Sequence, residues 1–379
     1  MSDSESDKDD EVDEVAANDL TDNEIMTKYQ LAGEIASKAL LAVLEAVKPG
    51  VTPLELCTIG DQLIDDACGQ MYKKAKIEKG IAFPTCISVN NCVGHFSPLS
   101  GEDAKPLEAG DVVKVDLGCH LDAYVGQVAH TVVCGADKVT GKQADLIMAA
   151  SEAVELAHRM LKPGAKNTDV TDMIAKVAES YGVNAMQGVM SHQMKKHVID
   201  GNRVIINKAT TEHKVDEVTF EVNDVFTIDV VMTTGEGKPI EQEARTTIFK
   251  RAVDQTYNLK MKASRTFFSE VNKRFSTFPF TLRAISDEKM ARMGVVECYN
   301  HELMTGYPVL YEKPGELVAQ FKFTALITAN KTHRTTRGPP IENVTSERAV
   351  EDVGLKELRA VDPAPKKKDK KKKKAEGAA

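Results

Sequence analysis

The stretch Gly110–Val133, GDVVKVDLGCHLDAYVGQVAHTVV, decides the fold. It predicts two strands around a turn centred near Leu121–Asp122. Asp116 lies in an apolar run with Val112, Val113, Val115 and Leu117. A carboxylate there needs a partner, because an unpaired buried charge costs several kcal/mol or neutralises itself. A turn at Leu121–Asp122 would set Asp116 opposite Gln127. An acid facing an acid could hold a cation; an acid facing an amide is a far poorer site.

The stretch has a copy. Gly110-Asp111-Val112-Val113-Lys114-Val115-Asp116 is similar to Asn223-Asp224-Val225-Phe226-Thr227-Ile228-Asp229, and Lys48-Pro49-Gly50 recurs as Lys162-Pro163-Gly164. Two matches at nearly equal offset imply a duplicated α/β half of just over a hundred residues. Each half then delivers one strand-borne Asp, Asp116 and Asp229, to a shared central pocket.

At 379 residues the chain can bury a large core. No apolar run is long enough to cross a membrane, and the N-terminus is acidic rather than an apolar leader. Seven scattered cysteines without a CxxC pair fit a reducing compartment and argue against a disulfide framework and a thiolate zinc site. The net charge of −8 is unevenly spread. Residues 1–24 hold eleven acids and one Lys, whereas residues 364–379 hold eight Lys against two acids. The chain thus has an acidic head, a near-neutral body and a basic tail.

Residues 1–20 are too polar to fold. Thr21 with Glu24 fits a capping box for a helix reaching about Val47, and Thr52-Pro53 opens a second helix through Asp66. Residues 81–97 predict a strand and a loop ending near His95. Helices are expected at about 142–161 and 168–181, a second Asp-bearing strand at Phe220–Thr233, a last strand at Val318–Ile327, and a short helix near 344–360. There is no phosphate-binding glycine loop.

Residues 245–292 hold eleven Lys or Arg against four acids, interleaved with Phe267, Phe268, Phe275, Phe278 and Phe280. Ser264 is expected to cap a helix with Phe267, Phe268, Val271 and Phe275 inward and Lys273 and Arg274 outward. The aromatics suit a small core; the basic surplus suits phosphate. Lys260, Lys262, Arg265, Lys273, Arg274 and Arg283 are the candidate contacts. The tail run Lys366, Lys367, Lys368, Lys370, Lys371, Lys372, Lys373 and Lys374 joins them as a polyanion-binding or nucleolar-address segment.

Several long strings carry a family resemblance: Gly80-Ile81-Ala82-Phe83-Pro84-Thr85, Ile87-Ser88-Val89-Asn90-Asn91-Cys92, His197-Val198-Ile199-Asp200-Gly201, Pro279-Phe280-Thr281-Leu282-Arg283-Ala284 and Val318-Ala319-Gln320-Phe321-Lys322-Phe323-Thr324. Over about residues 26–330 the chain resembles type II methionine aminopeptidases, and within that superfamily the proliferation-associated, ErbB-3 receptor-binding protein family. The resemblance implies a mixed α/β (α+β) pita-bread fold of two pseudo-symmetric halves, about 24–135 and 142–330. These lie in a body spanning 21–345 with an inserted helical/β subdomain at about 254–311, followed by a short helix and lysine tail in 346–379.

Peptidases of this fold hold two metal ions with two Asp, one His and two Glu, and place a second His near the substrate. By that resemblance Asp116 matches the first Asp, Gln127 replaces the second, His192 matches the metal-binding His, Asp229 shortens the first Glu, Lys322 replaces the last, and His95 matches the substrate-side His. Hard divalent ions want anionic oxygens. An ammonium at a bridging position repels a cation by on the order of 4 kcal/mol at 4 Å near a protein surface. Lys322 is therefore expected to take the missing cation's place between Asp116 and Asp229, with no metal and no cofactor bound.

The resemblance further implies a non-enzymatic, RNA-binding protein on ribosomal RNA and the large ribosomal subunit. It would act in ribosome assembly, translation and growth regulation, moving between cytoplasm and nucleus or nucleolus, as a monomer. The alternative is a protein-interaction scaffold or transcriptional co-regulator that takes receptor tails or transcription regulators as partners. A working metallo-aminopeptidase is a third reading, which Lys322 opposes.

Overall fold

The computed structural model describes residues 16–102 and 105–361. Helix α1 (Asn23–Ala46) is capped by Asp22, whose carboxylate accepts the Glu24 N–H, so the cap sits one residue after the expected Thr21. Helix α2 (Pro53–Gln70) starts from a reciprocal Thr52–Glu55 capping box with Pro53 in its first turn. Strands β1 (Lys79–Val89) and β2 (Cys92–Gly94) follow, then the hairpin of β3 (Val112–Leu121) and β4 (Tyr124–Val133). The second half repeats the plan with α3 (Gly141–Met160), α4 (Asn167–Tyr181), β5 (Asn184–Ala185), β6 (Met190–Met194), β7 (Val204–Ile206) and β8 (Val225–Thr233).

After β9 (Ile240–Glu241) comes a small subdomain. It comprises β10 (Ile248–Arg251), α5 (Lys262–Arg274), β11 (Phe280–Thr281), α6 (Glu288–Asn300) and β12 (Met304–Tyr307). The chain closes with β13 (Leu310–Tyr311), β14 (Val318–Ile327), β15 (Thr332–Arg334) and α7 (Val353–Ala360). The final helix is thus confined to its last eight residues; Val344, expected to begin it, instead bridges to Val139.

The main sheet runs β1-β3-β4-β14-β8-β6-β7, with β15 beside β14 and β5 beside β8. Side chains alternate between its faces. On β3, Val113, Val115, Leu117 and Cys119 pack under α1 and α2; on β8 and β14, Phe226, Ile228, Val230, Phe321 and Phe323 pack under α3 and α4. The helices therefore claim one face, and the alternate residues, Asp116, Asp229 and Lys322 among them, fall on the other. Close helix–sheet approach depends on Gly126: a Cβ there would lie 2.6 Å from the Gly33 nitrogen in α1.

The hairpin register differs from the expected one. The turn residues are Asp122 and Ala123, both left-handed at φ 52° and 66°. That moves the centre on by one position, so Asp116 pairs with Ala129 and Gln127 with Gly118. Asp122 holds the turn by accepting from Lys28 at 2.7 Å, while its own N–H donates to the Glu78 carbonyl at 2.6 Å.

Residues 16–20, expected to belong to the unfolded head, dock on the body. Leu20 is buried, and Ala17 O accepts the Tyr124 hydroxyl proton at 2.8 Å. All seven cysteines are free. Among the described residues no helix is long and apolar enough to cross a membrane.

Candidate functional site

Register builds the site. Asp116 pairs with Ala129, Ala129 with Lys322, and Lys322 with Asp229, so four residues form one row across β3, β4, β14 and β8. Ala129 is the small member of that row and leaves room for Lys322 to reach over it. The Lys322 Nζ lies 2.6 Å from Asp116 Oδ2 and 3.1 Å from Asp229 Oδ2. Gln320, two residues earlier on the same face, donates to Asp229 at 2.9 and 3.2 Å and to Asp116 at 3.4 Å. The sequence placed Gln320 on this face without giving it a role; its spacing of two from Lys322 was the available signal.

The row floors a cavity of about 200 Å³. His95, Gln127, His192, Asp229 and Lys322 line it, with Phe83, Ile199, Tyr307 and Leu310 as apolar walls. Asp116 sits beneath, only 4 % exposed. The six pocket residues singled out in the sequence thus converge. His192 Nδ1 lies 3.1 Å from the Gly201 carbonyl, and His95 Nδ1 lies 3.2 Å from the Pro308 carbonyl. Each carbonyl is placed to accept a proton from Nδ1.

The electrostatics centre on the ammonium. Burial opposes the charged form of Lys322, but the Asp116 and Asp229 carboxylates more than offset it and hold the amine above the ordinary lysine range. Burial pushes the Asp116 carboxyl up, Asp229 adds to the push, and Lys322 works against it. Among the described residues Asp116 Oδ1 has no hydrogen-bond partner. Burial and the nearby ammonium push His95 down to about 4, so its ring is neutral at physiological pH.

A dinuclear metal centre does not fit these residues. The cationic position between the carboxylates is taken by Lys322, and Gln127 contributes an amide where an anionic donor is required. Among the described residues no group of three or more His, Cys, Asp or Glu is arranged to hold a metal.

The basic candidates separate in space. Lys260, Lys262, Arg265, Lys273 and Arg274 are exposed on α5 and the loop before it. Phe267 and Val271, on the opposite side of α5, are fully buried. Arg265 Nη1 folds back to the Leu259 and Lys260 carbonyls at 3.0 and 2.7 Å, and Arg274 pairs with Glu270 at 2.6 Å. Arg283 is a correction: its guanidinium donates to Asp61 at 2.5 Å, to Pro98 O at 2.7 Å and to Ser97 at 3.1 Å, and its side chain is 12 % exposed. It ties the subdomain to α2 and offers nothing to a phosphate. Ser264 is likewise not the cap of α5. It is buried, and the Glu297 carboxylate of α6 accepts the Lys260 and Met261 N–H groups at 2.7 and 3.1 Å instead. The tail lysines Lys366 to Lys374 lie outside the described residues.

Comparison with known proteins agrees with this architecture. Residues 27–251 match the model of metallopeptidase family M24. The chain is 52 % identical over 321 residues to the ErbB-3 binding protein 1 of Solanum tuberosum, covering 84 % of this chain and 82 % of that one. It is 39 % identical over 339 residues to the curved DNA-binding protein of Schizosaccharomyces pombe, covering 88 % and 89 %. A solved structure of a thermophilic Arx1 superposes with a TM-score of 0.86 at 29 % identity, covering 91 % of this chain and all of that one.

Proposed function

The chain belongs to metallopeptidase family M24, within it to the ErbB-3-binding, proliferation-associated branch, and from that premise we propose a non-enzymatic, RNA-binding protein of the large ribosomal subunit. Its role is in ribosome assembly, translation and growth regulation, in the cytoplasm and the nucleus or nucleolus, as a monomer.

The observation that carries this reading is the polar face of α5. Lys262, Arg265, Lys273 and Arg274 stand exposed along one short helix whose other side is packed into the subdomain core. Phosphate contacts of this kind supply affinity without sequence reading, and that affinity falls steeply with salt through counterion release. The name of the fission-yeast relative, a curved DNA-binding protein, supports a nucleic-acid partner. The absence of an enzymatic role is supported by Lys322, which fills the position that a catalytic cation would need.

The test is binding of large-subunit ribosomal RNA by the full chain across a salt series. Reversing charge at Lys262, Arg265, Lys273 and Arg274 is expected to weaken binding and flatten its salt dependence. Equal binding by parent and variant would contradict the assignment.

A second reading, a protein-interaction scaffold for receptor tails or transcription regulators, is favoured by an apolar stripe on α6. Met293, Val296 and Tyr299 are 54 %, 53 % and 53 % exposed. The potato relative's name, which denotes receptor binding, supports the same reading. The two readings are compatible, since α5 and α6 present different surfaces.

A further inference from the structure

One aromatic contact in the subdomain is not part of its core. Tyr257 and His301 lie ring on ring, with centroids 3.6 Å apart and planes 12° from parallel. Tyr257 packs against the cluster around Phe249, Phe267 and Phe280. His301 lies on the solvent side of that tyrosine and is exposed. Tyr257 is half-buried and His301 exposed, so His301 is the outer ring of the pair. No hydrogen bond among the described residues claims its ring nitrogens.

The platform is held rigid from below. His301 is the residue at which α6 ends, its N–H bonded to Glu297 O. Glu297 also grips the Lys260 and Met261 N–H groups, fixing the loop that carries Tyr257 to the same helix. Next to the stack, Thr256, Tyr257, Asn258 and Lys260 line a shallow depression of about 440 Å³. Lys260 is exposed there, and the α5 cations Lys262 and Arg265 follow directly. The exposed acids of this stretch, Asp254 and Glu302, stand against those three cations and do not cancel them.

A flat, exposed ring next to a line of exposed cations matches what an unpaired base and its phosphates require. Bases stack on aromatic side chains irrespective of sequence because each has a π-face, while basic side chains track the backbone. We infer that the Tyr257–His301 stack is a seat for an unpaired nucleobase of single-stranded RNA, with Lys260, Lys262 and Arg265 taking the adjoining phosphates. The inference rests on the RNA-binding reading above. It adds to it a contact that is not electrostatic.

That difference sets the experiment. The full chain is titrated with a short uridine-rich RNA carrying one fluorescent adenine analogue, at several salt concentrations, alongside the same RNA with that base removed. His301→Ala is expected to weaken binding about tenfold, the scale of one lost base stack, with the slope of affinity against salt unchanged and the fluorescence quench lost. His301→Phe, which keeps a flat ring and removes both nitrogens, is expected to restore binding and quench. The RNA lacking the base should bind wild type and His301→Ala alike. Thermal midpoints of both variants matching wild type exclude a loss through unfolding. Wild-type affinity in His301→Ala, or failure of His301→Phe to rescue, overturns the platform while leaving α5 docking intact. No RNA binding by wild type at low salt overturns both.

Discussion

Removing the Lys322 ammonium would leave the buried Asp116 and the half-buried Asp229 side by side with only Gln320 between them. Breaking a buried pair by deleting one partner costs about 3–5 kcal/mol. Lys322→Ala is expected to lower stability to urea by that order, with the loss shrinking as pH falls. The sign follows from Asp116, whose carboxyl is pushed up by burial and by Asp229. Its protonated form is the one favoured in the folded state, so acid relieves the variant and rising pH worsens it. A loss independent of pH would contradict this arrangement. Lys322→Glu makes a sharper test. It replaces the ammonium by a third carboxylate and should be less stable than wild type in a chelator. It should then regain thermal stability on addition of manganese, because a ligand bound only by the folded state stabilises it. Wild type should not respond, since its own ammonium already occupies the position. The two acids of this site were legible in the sequence because a duplicated strand carries each, and the place of Lys322 between them followed from the family resemblance. The cross-strand neighbour of Asp116 was not legible, because the turn is built on Asp122 and Ala123, neither of which announces a left-handed backbone as glycine would.

Helix α5 belongs to a unit with its own core, so its faces can be perturbed separately. Phe267 is fully buried beneath it, and Phe267→Ala should cost about 3–5 kcal/mol. Native-state hydrogen exchange should place the new exposure in α5 and α6, sparing the hairpin of β3 and β4; uniform exposure of the whole sheet would show that the subdomain has no separate stability. Arg283→Ala should lower stability too, losing about 3 kcal/mol with the half-buried Asp61 pair. The salt slope of RNA binding should stay unchanged, whereas Lys273→Glu should lower the slope with little effect on stability. The bounds of β14 were legible to the residue, because Gln320, Lys322 and Thr324 alternating with Ala319, Phe321, Phe323 and Ala325 inside an otherwise apolar run admit little else. Arg283 and Ser264 were misplaced for a common reason. Their roles are set by Asp61 and Glu297, which lie far away in sequence and arrive only with the tertiary fold.

Across the whole molecule, duplication explains the architecture: two helix pairs cover one face of a single sheet, and each half contributes one acid to the opposite face. The same burial makes the protein sensitive to acid. Burial pushes His95 and His130 down to about 4 and His120 down to about 3. A histidine whose folded value lies below its unfolded one of about 6.5 stabilises the protein fully above that pH and loses its contribution as pH falls through the window down to about 4. Urea midpoints should therefore fall between pH 7 and pH 5, and His130→Gln should flatten the fall; a flat profile for wild type would contradict these burials. The peptidase framework keeps its cavity, but its cationic position is filled from within. The basic face proposed to dock RNA lies on the small subdomain, and the lysine tail lies beyond the described residues. The measurement that bears most directly on this is sedimentation of the full chain with ribosomes through a sucrose gradient at low and high salt. It would compare wild type with a variant that lacks residues 364–379 and is neutralised at Lys262, Arg265, Lys273 and Arg274. Wild type should travel with large subunits at low salt and be released by high salt, and the variant should stay at the top under both conditions. Wild type remaining at the top at low salt, or the variant travelling as wild type does, would contradict RNA docking through this surface.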